Sequence, residues 1–192
     1  MKSVLMLSFV VATVAFAQST LPAGTYSLSG DAAIRSVANK WGDREWRGIS
    51  IGLSPAITYF LVDQLAITIH PEMMLDYYES KYDDGIYAYS DEYKGVEVGI
   101  MCGGKYYIDL QKINPYLGIS AGVLWNNSDP EKFDFIKLGT PHVAVSTVMG
   151  IAFFINSSVA LDPKISMSYQ TIGEQKQIGS YAGVGVTYFI KE

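Results

Sequence analysis

Between Val159 and Tyr169 the sequence alternates without a slip. Val159, Leu161, Pro163, Ile165, Met167 and Tyr169 form one set, and Ala160, Asp162, Lys164, Ser166 and Ser168 form the other. A period of two marks a β-strand with an apolar face and a polar face. The polar set carries one acid and one base and is otherwise small. A tilted strand crosses a bilayer in about 9–11 residues, which this stretch supplies.

The same rhythm recurs along the chain. It predicts strands over 24–35, 48–60, 65–78, 94–107, 115–125, 142–154, 159–169 and 179–190. The second strand sets Ile49, Ile51, Leu53, Pro55, Ile57 and Tyr59 against Ser50, Gly52, Ser54, Ala56 and Thr58. The fourth sets Val96, Val98, Ile100, Cys102 and Tyr106 against Gly95, Glu97, Gly99, Gly103 and Lys105. The intervening segments 36–47, 79–93, 126–141 and 170–178 read as long loops. Segments 61–64, 108–114 and 155–158 read as short connections. Eight strands with alternating long and short connections predict an all-β, eight-stranded antiparallel up-and-down transmembrane barrel. Its short turns and both termini would face the periplasm.

Which face points inward follows from residue type. Across strands two to eight the apolar face is aliphatic, aromatic, Cys, Met or Pro except at Gly104, Thr147 and Ser180. The opposite face is mostly Gly, Ala, Ser and Thr. A face meeting water would be rich in Lys and Glu. Tiny residues suit the cramped lumen of a narrow barrel, so the apolar set is expected to face lipid. Tyr59, Phe60, Tyr106, Phe153 and Tyr188 would form one aromatic girdle, and Tyr77, Trp125 and Tyr169 the other. Pro55, Pro71 and Pro163 fall on apolar faces within strands. Each removes a ladder donor, so irregular pairing is expected there.

Composition agrees. The chain is 49% hydrophobic and 17% charged, with fourteen Tyr and eighteen Gly. Outside the N-terminus it has no apolar run long enough for a spanning helix. Residues 1–17 have the pattern of a cleaved signal peptide: Lys2, an apolar run, then Ala15-Phe16-Ala17. The mature barrel domain would cover 18–192. Loss of Lys2 leaves 13 basic against 19 acidic residues, a balance that gives no electrostatic case for nucleic acid. The single cysteine, Cys102, excludes an internal disulfide and reads as a small hydrophobe on the apolar face.

The chain resembles the family of small eight-stranded outer-membrane β-barrels, which includes the OmpA transmembrane domain, OmpX and Ail. The resemblance covers residues 21–190 and rests on architecture. Gly185-Val186-Thr187-Tyr188-Phe189-Ile190 also resembles the C-terminal signal read by the barrel-assembly machinery, although Ile190 replaces the usual aromatic and Lys191-Glu192 follow. The resemblance implies integral residence in the bacterial outer membrane, with lipid and lipopolysaccharide as neighbours and the assembly machinery as a partner.

The inward set contains Asp31, Arg35, His70, Glu72, Asp76, Glu97, Lys105, Asp162 and Lys164. Charges in a narrow lumen must pair or stay hydrated. Glu72, Glu97, Lys105, Asp162 and Lys164 are therefore expected to belong to one polar network that plugs the barrel. His70 and Glu72 share a face, yet spacing ties no nucleophile to them. Outer-membrane lipid A deacylases and palmitoyltransferases share the architecture, but a His two residues before a Ser, as in the deacylases, is not met. Catalytic, cofactor and metal assignments are accordingly none. The segment 79–93 interleaves Tyr with acid. Together with Trp41 and Trp46, its Tyr82, Tyr87 and Tyr89 are the candidate residues for binding an extracellular ligand. The expectation is a non-enzymatic envelope barrel. An adhesin of the Ail or OmpX type is the alternative, and a lipid-modifying enzyme is a third class.

Overall fold

The computed structural model describes residues 21–41, 44–83, 88–110, 112–127, 141–172 and 175–191. Eight strands occur in chain order: β1 Tyr26–Trp41, β2 Arg44–Val62, β3 Leu65–Asp83, β4 Ala88–Tyr107, β5 Ile113–Asn127, β6 Pro141–Phe154, β7 Val159–Ile172 and β8 Gln175–Ile190. Each pairs antiparallel with the next, and β1 pairs with β8, so the sheet closes into a barrel with no crossover. Closure satisfies the backbone groups that an open sheet would leave bare in lipid. The predicted signal peptide lies outside the described residues.

Tyr26 pairs with Ile190, so both ends of the barrel chain lie at one end of the cylinder. The near-end connections are short, as expected. At the far end the prediction needs correction. Residues 36–41, 44–47, 79–83, 88–93, 126–127, 141, 170–172 and 175–178 are strand, not loop: β1 and β2 pair as far as Trp41 and Arg44, β3 and β4 as far as Asp83 and Ala88, and β7 and β8 as far as Ile172 and Gln175. Above the bilayer an outward side chain meets water. The apolar mark that reveals a strand in lipid is then missing, although the ladder continues. Among the described residues, β4 pairs with β5 up to Val96–Asn127 and with β3 as far as Asp83–Ala88.

The outer wall is apolar along the part of the barrel nearer the termini and through its middle. Ile51, Leu117 and Val143 are 60–61% exposed, and Ile34, Ile57, Ile69, Ile119, Met149, Ile165 and Val186 are exposed beside them. Tyr106, Phe153 and Tyr188 point outward near one end, and Tyr77 and Tyr169 near the other. Phe60 departs from the expected girdle. It is fully buried and points into the lumen, on the same face as Thr58 and Ala56.

The prolines interrupt pairing without shifting it. The β2–β3 ladder stops at Leu53–Met73 and resumes at Ile57–Ile69, an equal step on both strands that spans Pro55 and Pro71. The β6–β7 ladder likewise skips from Gly150–Lys164 to Phe153–Leu161 around Pro163. The register shift in β2–β3 lies elsewhere, between Phe60 and Val62. Because the side-chain period is two, an unchanged register keeps Ile49, Ile51, Leu53 and Ile57 on one face across the prolines.

Candidate functional site

Alternation aims one side chain in two at the barrel axis, and four layers result. The near-end layer is apolar. Leu21, Phe60, Ala66, Tyr107, Tyr116, Ala152, Ala160 and Phe189 form one buried cluster. Its rings stack obliquely, with centroids 5.3 Å apart for Phe60–Tyr107 and 5.0 Å for Tyr107–Tyr116.

Above it lies the first charged layer. Lys164 forms an ion pair with Asp31 across the β7–β8–β1 wall. Tyr116 donates its hydroxyl hydrogen to Asp162 Oδ1 at 2.8 Å. Lys105 Nζ stands 5.2 Å from the centre of the Tyr116 ring, within cation–π range. Glycines make the room: a Cβ at Gly150 would lie 2.4 Å from the Tyr116 hydroxyl, and one at Gly185 would overlap Asp31 Oδ1.

The third layer holds a small cavity of about 80 Å³, bordered by Ser54, His70, Glu72, Lys105, Ser120 and Ser166 together with the apolar Leu53, Ala56, Met74 and Val148. Ser54 Oγ is 3.3 Å from His70 Nδ1, and Glu72 Oε1 is 3.8 Å from the same nitrogen. A hydrolytic relay needs the nucleophile on one ring nitrogen and the orienting carboxylate on the other. Both contacts converge here on Nδ1, so the grouping is not built as a relay.

The fourth layer centres on Arg35. Its guanidinium donates to Asp76 Oδ1 at 2.9 Å, Glu97 Oε1 at 3.2 Å, Ser50 Oγ at 3.1 Å and Tyr181 Oη at 3.0 Å. Ser168 donates to Tyr181 at 3.0 Å, and His142 Nε2 stands 3.8 Å from Glu97 Oε2. A planar fork with five donors suits such a site, where several acceptors from different strands converge.

Glu72, Glu97, Lys105, Asp162 and Lys164 all point inward, and among the described residues their contacts fall into groups at different heights. Glu97 belongs to the Arg35 layer. Lys164, Asp162 and Lys105 belong to the layer near the termini. Glu72 lies between, beside His70. Tilted strands place inward residues at heights that spacing along one strand does not disclose. Sequence reasoning counted Arg35 and Asp76 as inward but did not make them central. It missed Ser54, Tyr116 and Tyr181, which as hydroxyl-bearing residues on inward positions carried a weak signal. Of the candidate binding residues, Trp41, Trp46, Tyr82 and Tyr89 fall on the far-end hairpins, where Tyr82 pairs with Tyr89. Tyr87 lies outside the described residues. Among the described residues no cluster of His, Cys, Asp or Glu is arranged to hold a metal ion.

A closed, eight-stranded antiparallel barrel with an apolar exterior and a packed polar lumen defines the architecture of the small outer-membrane β-barrels. The structural comparisons bear this out. The chain is similar to the outer membrane protein OprG of Pseudomonas aeruginosa, with a TM-score of 0.65 and 11% identity over 90% of this chain and 98% of that one. It is also similar to Neisserial surface protein A, with a TM-score of 0.56, 16% identity, and coverage of 86% and 97%. Ail, the attachment invasion locus protein of Yersinia pestis, gives 0.50 and 13% over 88% and 99%. At these identities the likeness is one of fold. No family model matches the sequence, and no curated protein matches it.

Proposed function

We propose that this chain is an integral protein of the bacterial outer membrane with a structural, non-catalytic role in the envelope. The observation that supports the reading is the outer wall, where Ile51, Leu117 and Val143 head a continuous apolar surface. Soluble monomers do not carry apolar patches of that extent, whereas lipid tails accept them freely. On this reading the end that holds Tyr26 and Ile190 faces the periplasm, and the β1–β2 and β3–β4 hairpins stand outside, beside lipopolysaccharide. The barrel-assembly machinery inserts the chain. The filled lumen supports a plugged barrel and not a pore. Cell fractionation with gel electrophoresis tests the proposal. The chain is expected in the outer membrane and should migrate differently before and after boiling in detergent; recovery in the soluble fraction contradicts it.

A second reading, as an adhesin, is favoured by one observation. The β3–β4 hairpin runs on to Asp83–Ala88, well past the Val96–Asn127 pair, and interleaves Tyr with acid. Tyr brings amphipathic contact area at low entropy cost and is enriched at binding surfaces. Deleting residues 81–91 and measuring attachment to cells or matrix tests this; unchanged attachment removes the adhesin reading.

A further inference from the structure

The four strands that run toward the near end finish alike. β2 arrives through Tyr59-Phe60-Leu61, β4 through Tyr106-Tyr107-Ile108, β6 through Phe153-Phe154-Ile155 and β8 through Tyr188-Phe189-Ile190. Aromatic, aromatic, aliphatic recurs on every second strand. Alternation sends the middle ring inward: Phe60, Tyr107 and Phe189 belong to the buried cluster, and Phe154 packs against it. The residues on either side of that ring point outward. Tyr106, Phe153 and Tyr188 are exposed, and Tyr59 is half-buried. One step nearer the end, Leu61, Ile108, Ile155 and Ile190 are all exposed, Ile155 by 70%.

An aromatic girdle marks the level where lipid gives way to water. Here aliphatic side chains continue past it, onto the turns. The turns also pair their own backbone. After β6, Ile155 N–H and Asn156 N–H donate to Val159 O at 2.8 and 3.3 Å, and Asn156 Oδ1 accepts from Ser158 N–H and Val159 N–H at 2.9 and 2.8 Å. After β4, Ile108 N–H donates to Pro115 O at 2.7 Å, and Leu110 N–H to Asn114 Oδ1 at 3.2 Å. Donors paired in this way lose little when a turn leaves water. Among the described residues the exposed charges of this end are Asp63, Lys112 and Lys191. Asp63 Oδ1 accepts from Ala23 N–H at 2.9 Å, and a lysine stem is long enough to carry its charge to the headgroups.

From this repeat we propose that the near-end turns are seated in the membrane: Leu61, Ile108, Ile155 and Ile190 form an aliphatic collar in the acyl–headgroup boundary of a phospholipid leaflet, and the collar fixes the depth of the barrel. The occupant is lipid because the collar adjoins the apolar outer wall, with only the girdle between them. The far-end hairpins have no such collar; their sequences carry charges such as Arg44, Glu45, Glu79 and Lys81 where they turn. The inference rests on the membrane reading proposed above.

The experiment uses the mature chain with Cys102→Ala in phospholipid nanodiscs, where both ends of the barrel meet solvent. A nitrobenzoxadiazole fluorophore is attached, one site at a time, through Ile155→Cys, Ile108→Cys, Ile119→Cys and Lys81→Cys. Both turn sites are exposed, so neither substitution empties a core, and a heat-shift gel confirms each folded barrel. The quenchers are aqueous iodide and a nitroxide on the upper acyl chain of the phospholipid. The labels replacing Ile155 and Ile108 are expected to be quenched by the lipid nitroxide. Iodide should quench them at least about threefold less than the label replacing Lys81, a side chain 58% exposed. Iodide quenching at either turn that matches the Lys81 site overturns the collar. So does a turn label that neither quencher reaches, because a protein surface and not lipid then covers the rim. The Ile119 site separates the two readings. Ready iodide quenching there contradicts the membrane reading itself, whereas protection there with open turns removes the collar alone.

Discussion

Arg35 on β1 and Asp76 on β3 meet 2.9 Å apart inside the barrel, although β2 lies between their strands. The same guanidinium holds Glu97 on β4 at 3.2 Å. One cation thus ties three strands together at a site where all three side chains are buried.

Removing that cation should be costly. Arg35→Leu strands two buried carboxylates, and breaking a buried pair on one side costs about 3–5 kcal/mol. Urea unfolding of the barrel in liposomes is expected to show a free energy of unfolding lowered by that order, read as a lower midpoint at unchanged slope. Replacing Arg35, Asp76 and Glu97 together by apolar residues of similar size should recover much of the loss.

The lipid-facing wall makes a prediction of opposite character. Ile119 lies midway along β5 and is 59% exposed on the outer face. Ile119→Arg would carry a charge to the middle of the bilayer, at a cost of about 2–4 kcal/mol. The same unfolding assay in liposomes measures it. In detergent micelles the penalty should shrink, because micelles let the side chain reach water.

Glycines on the two faces should respond differently. A Cβ at Gly103 would lie 2.0 Å from Ile119 O and 2.6 Å from Ser120 Cα, both backbone atoms that cannot swing aside. Gly103→Ala is expected to destabilise the barrel by roughly 1–3 kcal/mol through overpacking. At Gly30 a Cβ meets nothing within 4 Å. Gly30→Ala should therefore be neutral or raise stability by roughly 0.4–1 kcal/mol through the unfolded state. Paired unfolding curves of the two variants decide the matter.

The barrel itself was legible in the sequence because lipid and lumen impose opposite demands on alternate residues. Ile49 to Tyr59 and Val159 to Tyr169 display that contrast at every position. Where the contrast ends, so does legibility. The hairpin ends around Trp46 and Tyr82 lack that contrast in the sequence and read as loops. Phe60 was assigned to a girdle by its aromatic character, although alternation with Thr58 places it inside. Inward direction could be read for every charged residue of the lumen. Partnership could not, because Arg35 finds Glu97 across a distance set by strand tilt and register. The Pro55 and Pro71 positions were visible as missing donors; that they face one another in an unbroken register follows only from pairing β2 with β3.

The native cysteine offers the most direct test of the central claim that the apolar wall faces lipid. Cys102 is exposed on the outer face of β4, paired with Ile69 on one side and Ala121 on the other. A nitroxide spin label attached there in liposomes reports its surroundings through collisions with oxygen, which concentrates in the bilayer, and with a water-soluble nickel chelate. The account predicts strong relaxation by oxygen and little by the chelate. Ready relaxation by the chelate, or a thiol shielded from labelling inside a barrel that stays dissolved without detergent, would contradict it.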